Sequence, residues 1–216
     1  MKRRDFSLAL AASSAALTGL VSPAVHAQEA FKPGKDYAVL STRAPVDAPA
    51  DRVEVLEFFS YNCPHCNQFE PELSAWLKKL PKDVVFRRVP VPFLGDFETK
   101  QRLYFTLEAM GKLDEIHPRV FSAIHTQRIK LMGDAAVLEW AEKQGLDKAK
   151  FTELYRSFSM GGKLKRAGQI SDAYKVEGVP ALGIAGRYYT DATMAGSMTR
   201  ALQVTDALIA EARKTR

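Results

Sequence analysis

The sequence predicts an α/β fold in which one sheet is completed from both ends of the chain around an all-helical insert. Strand signals occur before about residue 95 and return after about residue 176, whereas the intervening residues show helical periodicity alone. The 216 residues are 46% hydrophobic and 26% charged, as in an ordinary globular protein. We therefore expect residues 28–95 and 176–216 to form one domain and residues 96–175 to form an inserted helical domain.

Residues 1–27 are typical of an export signal. Basic residues at positions 2–4 precede an apolar stretch rich in small residues, and Ala27 ends a small-residue cleavage pattern. The apolar run is short and interrupted by polar residues, which disfavours the alternative of a membrane anchor. We expect cleavage after about Ala27. The Arg3-Arg4 pair leaves both the Sec and the twin-arginine route open.

The charge balance disfavours a nucleic-acid-binding function. The formal net charge is +6, and because residues 1–27 contribute a net +2, the remaining chain retains +4. Its basic residues are interleaved with acidic ones along the predicted helices, which is typical of a solvated surface.

The first β-containing half begins with a short edge strand at about residues 37–40. The β-branched and aromatic run Val53–Phe59 predicts a buried strand, and the helical stripe that follows predicts a helix over residues 63–80. A further strand is predicted over residues 84–89.

The insert should hold several amphipathic helices punctuated by glycines, over residues 97–110, 118–124, 134–143, 148–158 and 162–174. Pro118 suits the first turn of its helix. After the insert, residues 181–185 and 188–190 flank Gly186-Arg187, which indicates a β-hairpin. Ser197 can cap a final helix that reaches about residue 214.

The two cysteines, Cys63 and Cys66, are expected to be reactive rather than structural. The chain has 2 Cys, and a bridge between them closes a very small loop that stabilises a fold little. Cys63 falls where the strand ends and the helix begins, so free backbone N–H groups favour its thiolate. Cys66 lies about one turn further in, where it should be more enclosed and able to resolve a mixed disulfide on Cys63.

Pro64 and His65 are expected to tune this pair. Pro64 stiffens the turn, and His65 can supply a donor or a positive charge near the sulfur of Cys63. Whatever stabilises the thiolate stabilises the reduced form, so the disulfide becomes more oxidising. The dipeptide therefore favours a donor of disulfides over a reductant.

Glu57 lies in the middle of an apolar strand, six residues before Cys63. A buried carboxylate is costly unless it has a partner or a task, so we expect a proton acceptor for Cys66. The alternative is an edge carboxylate in water.

A zinc site is the rival interpretation of two cysteines at this spacing. Zinc would need two further ligands, and the remaining histidines outside the signal and the motif, His117 and His125, are eight residues apart. This spacing disfavours the metal site, so we expect neither a metal nor a cofactor.

Two segments carry a family resemblance. Residues 56–70 resemble the active-site segment of the DsbA family of bacterial disulfide oxidants: LEFFSYNCPHCNQFE. Gly178-Val179-Pro180-Ala181 resembles that family's cis-proline loop, and the likeness extends over nearly the whole mature chain. The resemblance implies a thioredoxin fold with an inserted helical domain, located in the periplasm.

The resemblance also implies roles for individual residues. Cys63 would form a mixed disulfide with newly exported, reduced or unfolded proteins, and Cys66 would resolve it. Val179-Pro180, with a cis peptide bond, would face the sulfurs and pair with the substrate backbone. Glu57 would be the buried acid, and Glu70 a second carboxylate on the helix.

By the same resemblance, a DsbB-like, quinone-linked membrane oxidase would reoxidise the cysteine pair. Independently of the resemblance, a monomer is the simpler expectation for the oligomeric state. Asn62 departs from the family pattern, which has an aromatic residue there in its best-known members, so the shape of the partner-binding surface is open. Two further hypotheses remain: an isomerase or reductase on the same fold, and a non-catalytic holdase.

Overall fold

The computed structural model describes residues 31–215, so the export signal predicted for residues 1–27 lies outside the described residues. Within them the strands are β1 (Ala38–Val39), β2 (Val53–Phe59), β3 (Val84–Pro90), β4 (Ala181–Ile184) and β5 (Tyr188–Asp191). The helices are α1 (Pro64–Leu77), α2 (Phe97–Ala109), α3 (Leu113–Phe121), α4 (Gly133–Lys143), α5 (Lys148–Tyr155), α6 (Phe158–Ala173), α7 (Ala192–Ala195) and α8 (Met198–Lys214). A π-helical turn, Ser122–Thr126, follows α3.

The strands form one sheet in the order β1-β5-β4-β2-β3. Strand β2 pairs in parallel with β3 and antiparallel with β4, so the sheet joins strands from both ends of the chain. The predicted α/β fold class is confirmed. Helices α2 to α6 lie between the two sets of strands in the sequence. The chain from Phe31 onward forms one compact unit, so the domain boundaries at residues 96 and 175 stay predictions.

Every residue of β2 is buried because helices cover both faces of the sheet. Val53 and Val55 belong to a core cluster shared with α1 and α8, whereas Leu56 and Phe58 belong to one shared with α6. This double coverage explains why apolar residues occupy adjacent positions, as in Val55-Leu56 and Phe58-Phe59, and not only every second position.

A third core cluster belongs mostly to the insert and also contains both cysteines. Cys63 and Cys66 lie in it with the end of β2 and with side chains from α2 to α5, among them Leu103, Leu107, Ile116, Val120, Phe121, Val137 and Phe151. The insert therefore supplies much of the apolar surroundings of the cysteine motif.

Two predicted helix boundaries in the insert are wrong. Helix α3 begins at Leu113, so Pro118 lies in its interior and not in its first turn. Helix α6 begins at Phe158 and runs through Gly161 and Gly162, whereas it was expected to begin at about Gly162. In both helices, buried side chains on the extended part, such as Ile116, outweigh the local cost of proline or glycine.

The hairpin and the final helix are confirmed. Ala185 and Gly186 have φ values of +53° and +69°, which allow a tight turn between the antiparallel strands β4 and β5. Ser197 Oγ accepts a hydrogen bond from the N–H of Arg200 at 3.1 Å and so caps α8. Within residues 31–215, the helices all lack the length and apolar content needed to cross a membrane.

Gly183 of β4 is required by close packing. A Cβ added there would lie 2.5 Å from the ring of Tyr174 and 3.0 Å from that of Phe58, and the Tyr174 hydroxyl is held by the N–H of Gly186 at 2.8 Å. We expect Gly183→Ala to lower the free energy of unfolding by about 1–3 kcal/mol, measured by urea denaturation. The control Gly162→Ala, at an open helical position, should stabilise by up to about 1 kcal/mol. Equal effects of the two substitutions would contradict the packing argument.

Candidate active site

Cys63 is the N-cap residue of α1, at the point where the chain leaves β2. Its backbone is extended, with φ −88° and ψ 116°, and its own N–H donates to the carbonyl of Ser60 at 3.0 Å. Its sulfur accepts a hydrogen bond from the N–H of Cys66 at 3.4 Å. The sulfur thus takes the place that a serine or aspartate oxygen usually has at a helix N-terminus.

The two cysteines have opposite acidities. The hydrogen bond with the Cys66 side chain lowers the pKa of Cys63 to about 6, against the effect of burial, and the backbone N–H groups of Cys66 and His65 and the charge of His65 contribute. Cys66 is 0% exposed. Its pKa is raised mainly by burial and to a smaller extent by its contact with Cys63. This contrast favours Cys63 as the nucleophile, since the thiolate is the reactive form.

Pro64 and His65 lie exposed at the start of α1. The ring of His65 contacts Gln68, with 3.4 Å between Nδ1 and Oε1. Asn62 donates from its side chain to the carbonyl of Leu94 at 2.7 Å, which fixes the loop after β3 beside the motif. The position that departs from the expected aromatic residue therefore has a structural contact of its own.

The Val179-Pro180 segment lies against the motif, and its peptide bond is cis. The carbonyl oxygen of Val179 is 3.4 Å from the Cys63 sulfur and can accept from the thiol when Cys63 is protonated. A groove of about 420 Å³ opens beside the two segments, lined by His65, Gln68, Phe69, Glu72, Gly178, Val179, Pro180, Asp191, Ala192, Thr193 and Met198. Val179 lines this groove, and its carbonyl oxygen also contacts the Cys63 sulfur.

Glu57 is fully buried in β2, as predicted. Its Oε2 accepts from Arg88 Nε at 2.9 Å, while its buried Oε1 has no hydrogen-bond partner among the described residues. Burial raises the pKa of Glu57 to about 8; the Arg88 charge opposes this shift and the Glu70 charge adds to it. Glu57 can therefore hold a proton at neutral pH close to the cysteine pair.

Three residues of the site were not found from the sequence. Arg88 also donates to Glu70 at 3.1 Å, the His117 ring contacts Glu70 at 3.1 Å, and the Tyr61 hydroxyl lies 2.7 Å from His117 Nδ1. Arg88 could have been found from strand register, because it lies directly opposite Glu57 in the parallel pair. His117 has no local signal, because only the folded chain brings α3 to α1.

His117 and His125 both have protein partners. His125 Nε2 lies 2.8 Å from the carbonyl oxygen of Tyr61, and its ring stacks on Phe121. Within residues 31–215, no group of three or more histidine, cysteine, aspartate or glutamate side chains has the geometry to hold a metal ion.

A reactive dithiol at a helix N-terminus, next to a sheet and opposite a proline loop, defines a thiol:disulfide oxidoreductase of the thioredoxin fold. A family model described as a DSBA-like thioredoxin domain matches residues 54–203. The chain belongs to the DsbA family.

Relatives of known name agree with this assignment. The chain is 42% identical to the thiol:disulfide interchange protein DsbA of Bordetella parapertussis, over 99% of this chain and 100% of that protein. It is 36% identical to the DsbA of Pseudomonas aeruginosa, over 97% of each. The crystal structure of Pseudomonas aeruginosa DsbA matches with a TM-score of 0.81 at 38% identity, covering 86% of this chain and 96% of that one. NmDsbA1 of Neisseria meningitidis matches with a TM-score of 0.74 at 27% identity, covering 85% of this chain and 95% of that one.

The lowered pKa of Cys63 makes the stability of the reduced protein depend on pH. A depressed pKa contributes stability above the unfolded value near 9, and this contribution is lost as pH falls through about 6. At pH 7 it should amount to about 1–2 kcal/mol. We expect the reduced wild type to gain stability between pH 5 and pH 8 relative to reduced Cys63→Ser, measured by urea denaturation.

The comparison with Cys63→Ser is needed because Glu57 acts in the opposite direction. Its pKa is raised to about 8, so it contributes stability at low pH that is lost as pH rises toward that value. Both proteins contain Glu57, so the difference between them reports on Cys63. A difference that does not change with pH would show that the fold does not stabilise the thiolate.

Proposed function

We propose that this thiol:disulfide oxidoreductase is a periplasmic dithiol oxidase that passes its Cys63–Cys66 disulfide to newly exported proteins. The observation that carries the proposal is the position of Cys63 as the N-cap of α1, where its sulfur accepts a backbone hydrogen bond from Cys66. A sulfur held in this way leaves readily as a thiolate, so the disulfide is a strong oxidant.

The reaction has two exchange steps. A substrate thiolate attacks the Cys63 sulfur of the disulfide, forming a mixed disulfide and releasing the sulfur of Cys66. A second thiolate of the substrate then attacks the substrate sulfur that is bonded to Cys63. This step forms the substrate disulfide and releases Cys63 as a thiolate. The substrate is oxidised by two electrons, and the dithiol form of the protein remains.

Glu57 acts as the proton donor and acceptor for Cys66. Because burial raises the pKa of Cys66, this sulfur needs a proton when it leaves and must lose one when the disulfide is formed again. Glu57, with its raised pKa of about 8 and its unpartnered Oε1, suits both directions of this transfer.

The substrate chain would contact Val179-Pro180 and the adjacent groove while it is attached to Cys63. Its partners would be reduced or unfolded exported proteins, and a DsbB-like, quinone-linked membrane oxidase would restore the disulfide. Export would depend on residues 1–27 and end with cleavage after about Ala27. The protein would act as a monomer, with residues 96–175 as an inserted helical domain that covers the motif.

The oxidase function is tested with a reduced, unfolded model substrate. We expect the oxidised protein to convert the substrate rapidly, at one disulfide per protein molecule, because release of the Cys63 thiolate favours transfer. Substrate thiols are counted over time by alkylation and mass analysis. If the oxidised protein fails while glutathione disulfide succeeds, the proposal is wrong.

Two variants control this experiment. Cys63→Ser should abolish transfer, whereas in Cys66→Ser the Cys63 thiolate should attack disulfides of exported proteins, release one of their thiolates and accumulate as mixed disulfides, seen as reducible adducts. Full biological activity in Cys63→Ser would favour a holdase and rule out redox chemistry.

The proton role of Glu57 is tested by comparison with Glu54. Both carboxylates are fully buried in β2, but Glu54 pairs with Arg87 and faces away from the cysteine pair. We expect Glu57→Gln to slow the release of Cys66 by about 10²-fold or more, in line with the usual contribution of a general acid or base. Stopped-flow measurement of mixed-disulfide formation from the oxidised protein checks this. A similar rate loss in Glu54→Gln would show that Glu57→Gln acts through general destabilisation.

A further inference from the structure

His117 lies between two groups of the site and uses both of its ring nitrogens. It is 3% exposed on α3, with Nδ1 at 2.7 Å from the Tyr61 hydroxyl and Nε2 at 3.1 Å from Glu70 Oε1. The imidazole also packs at 5.1–6.3 Å between ring centroids against four aromatic side chains: Phe59, Tyr61, Tyr104 and Phe121. A residue of the insert thus contacts both the segment before Cys63 and a carboxylate of α1.

The hydrogen bonds determine which nitrogen of His117 carries the proton. Glu70 accepts from Arg88 through both of its oxygens, at 3.3 and 3.1 Å, as an ionised carboxylate does. The ring must therefore donate to Glu70 from Nε2, which leaves Nδ1 to accept from the Tyr61 hydroxyl. Burial lowers the pKa of His117, so the ring stays neutral in this arrangement.

Glu57 and Glu70 share one cation, Arg88. Two carboxylates beside one buried guanidinium favour the retention of one proton by the pair. The surroundings of the two carboxyls differ in two respects: the Glu57 side chain is 0% exposed whereas that of Glu70 is 14% exposed, and their hydrogen bonds differ. Both Glu70 oxygens accept hydrogen bonds, and one of them accepts from His117, whereas Glu57 Oε1 has no partner among the described residues.

We propose that His117 is a positioning residue that assigns the proton of the Glu57–Arg88–Glu70 cluster to Glu57, because its ring donates to Glu70 and keeps Glu70 ionised. Without this donor, the ionised form of Glu70 would lose a hydrogen bond, so Glu70 would take a larger share of the proton and Arg88 would stabilise the charged form of Glu57 more often. The proposal deepens the role assigned to Glu57 in the proposed function.

The other ionisable groups around His117 do not compete for this proton. Tyr61 and Tyr104, the latter from α2, remain neutral because burial raises the pKa of both. Asp114 on α3 is exposed, so solvent screens its charge. Arg88 on β3 keeps its charge because its pKa is raised by Glu57 and Glu70 against the effect of burial. The two carboxyls are therefore the groups that exchange the proton.

The test follows the two carboxyls directly, in the oxidised full chain, where neither thiol titrates. Side-chain carboxyl signals of ¹³C-labelled glutamate are recorded against pH, and Glu57→Gln and Glu70→Gln assign the two signals. We expect Glu57 to titrate at higher pH than Glu70 in the wild type.

The variant His117→Phe keeps an aromatic ring without a donor. In this variant the Glu57 midpoint should fall and the Glu70 midpoint should rise. Each midpoint should move by about one pH unit or more, which is a tenfold change in proton affinity. Unchanged midpoints in folded His117→Phe would overturn the proposal.

A matched pair of variants separates the hydrogen bond from packing. The side-chain amide of His117→Gln reaches the position of Nε2 and should restore the wild-type midpoints, whereas that of His117→Asn reaches only toward Tyr61 and should behave as His117→Phe does. Should His117→Phe fail to fold, this pair decides the question, and equal midpoints in the two variants would contradict the proposal. The measurement uses no substrate, so its outcome is independent of whether the oxidase function holds.

Discussion

The hydrogen bond from the Cys66 N–H to the Cys63 sulfur is the interaction on which the chemistry of this fold depends. It exists because β2 ends where α1 begins, so that the first free N–H groups of the helix point at the sulfur. The same geometry encloses Cys66 within the helix and the core. One local arrangement therefore lowers the pKa of Cys63 and raises that of Cys66, which favours Cys63 as the attacking and leaving sulfur.

The sheet supplies the second half of the site. Parallel pairing of β2 with β3 places Arg88 opposite Glu57, and the helix that starts at Cys63 brings Glu70 to the same guanidinium. Burying two carboxylates with one arginine costs solvation, and the cluster lowers this cost by retaining a proton. A proton held next to the cysteines suits the proposed reaction, because the buried sulfur of Cys66 gains a proton when the disulfide is transferred and loses one when the disulfide forms again.

The helical insert contributes side chains to the surroundings of both the cysteines and the carboxylate cluster. Its core cluster includes both cysteines, and its helix α3 brings His117 into contact with Tyr61 and Glu70. The motif and the strand Val53–Phe59 could be predicted from local pattern, because consecutive residues carry the signal. The start of α3, the glycines inside α6 and the short helix α7 could not, because packing against distant side chains outweighs local propensity there.

The sequence alone predicted the fold class, which is confirmed, and it also predicted the reactive pair with Cys63 as the nucleophile, since each prediction follows from residues close together along the chain. It also indicated that Glu57 is buried, because the apolar residues on both sides of Glu57 along the strand predict that both faces of the strand are covered. Only the tertiary structure decided the partners of Glu57. Arg88, Glu70 and His117 come from three separate elements, and the protonation of a buried carboxyl depends on which charges and donors the folded chain brings within hydrogen-bonding distance.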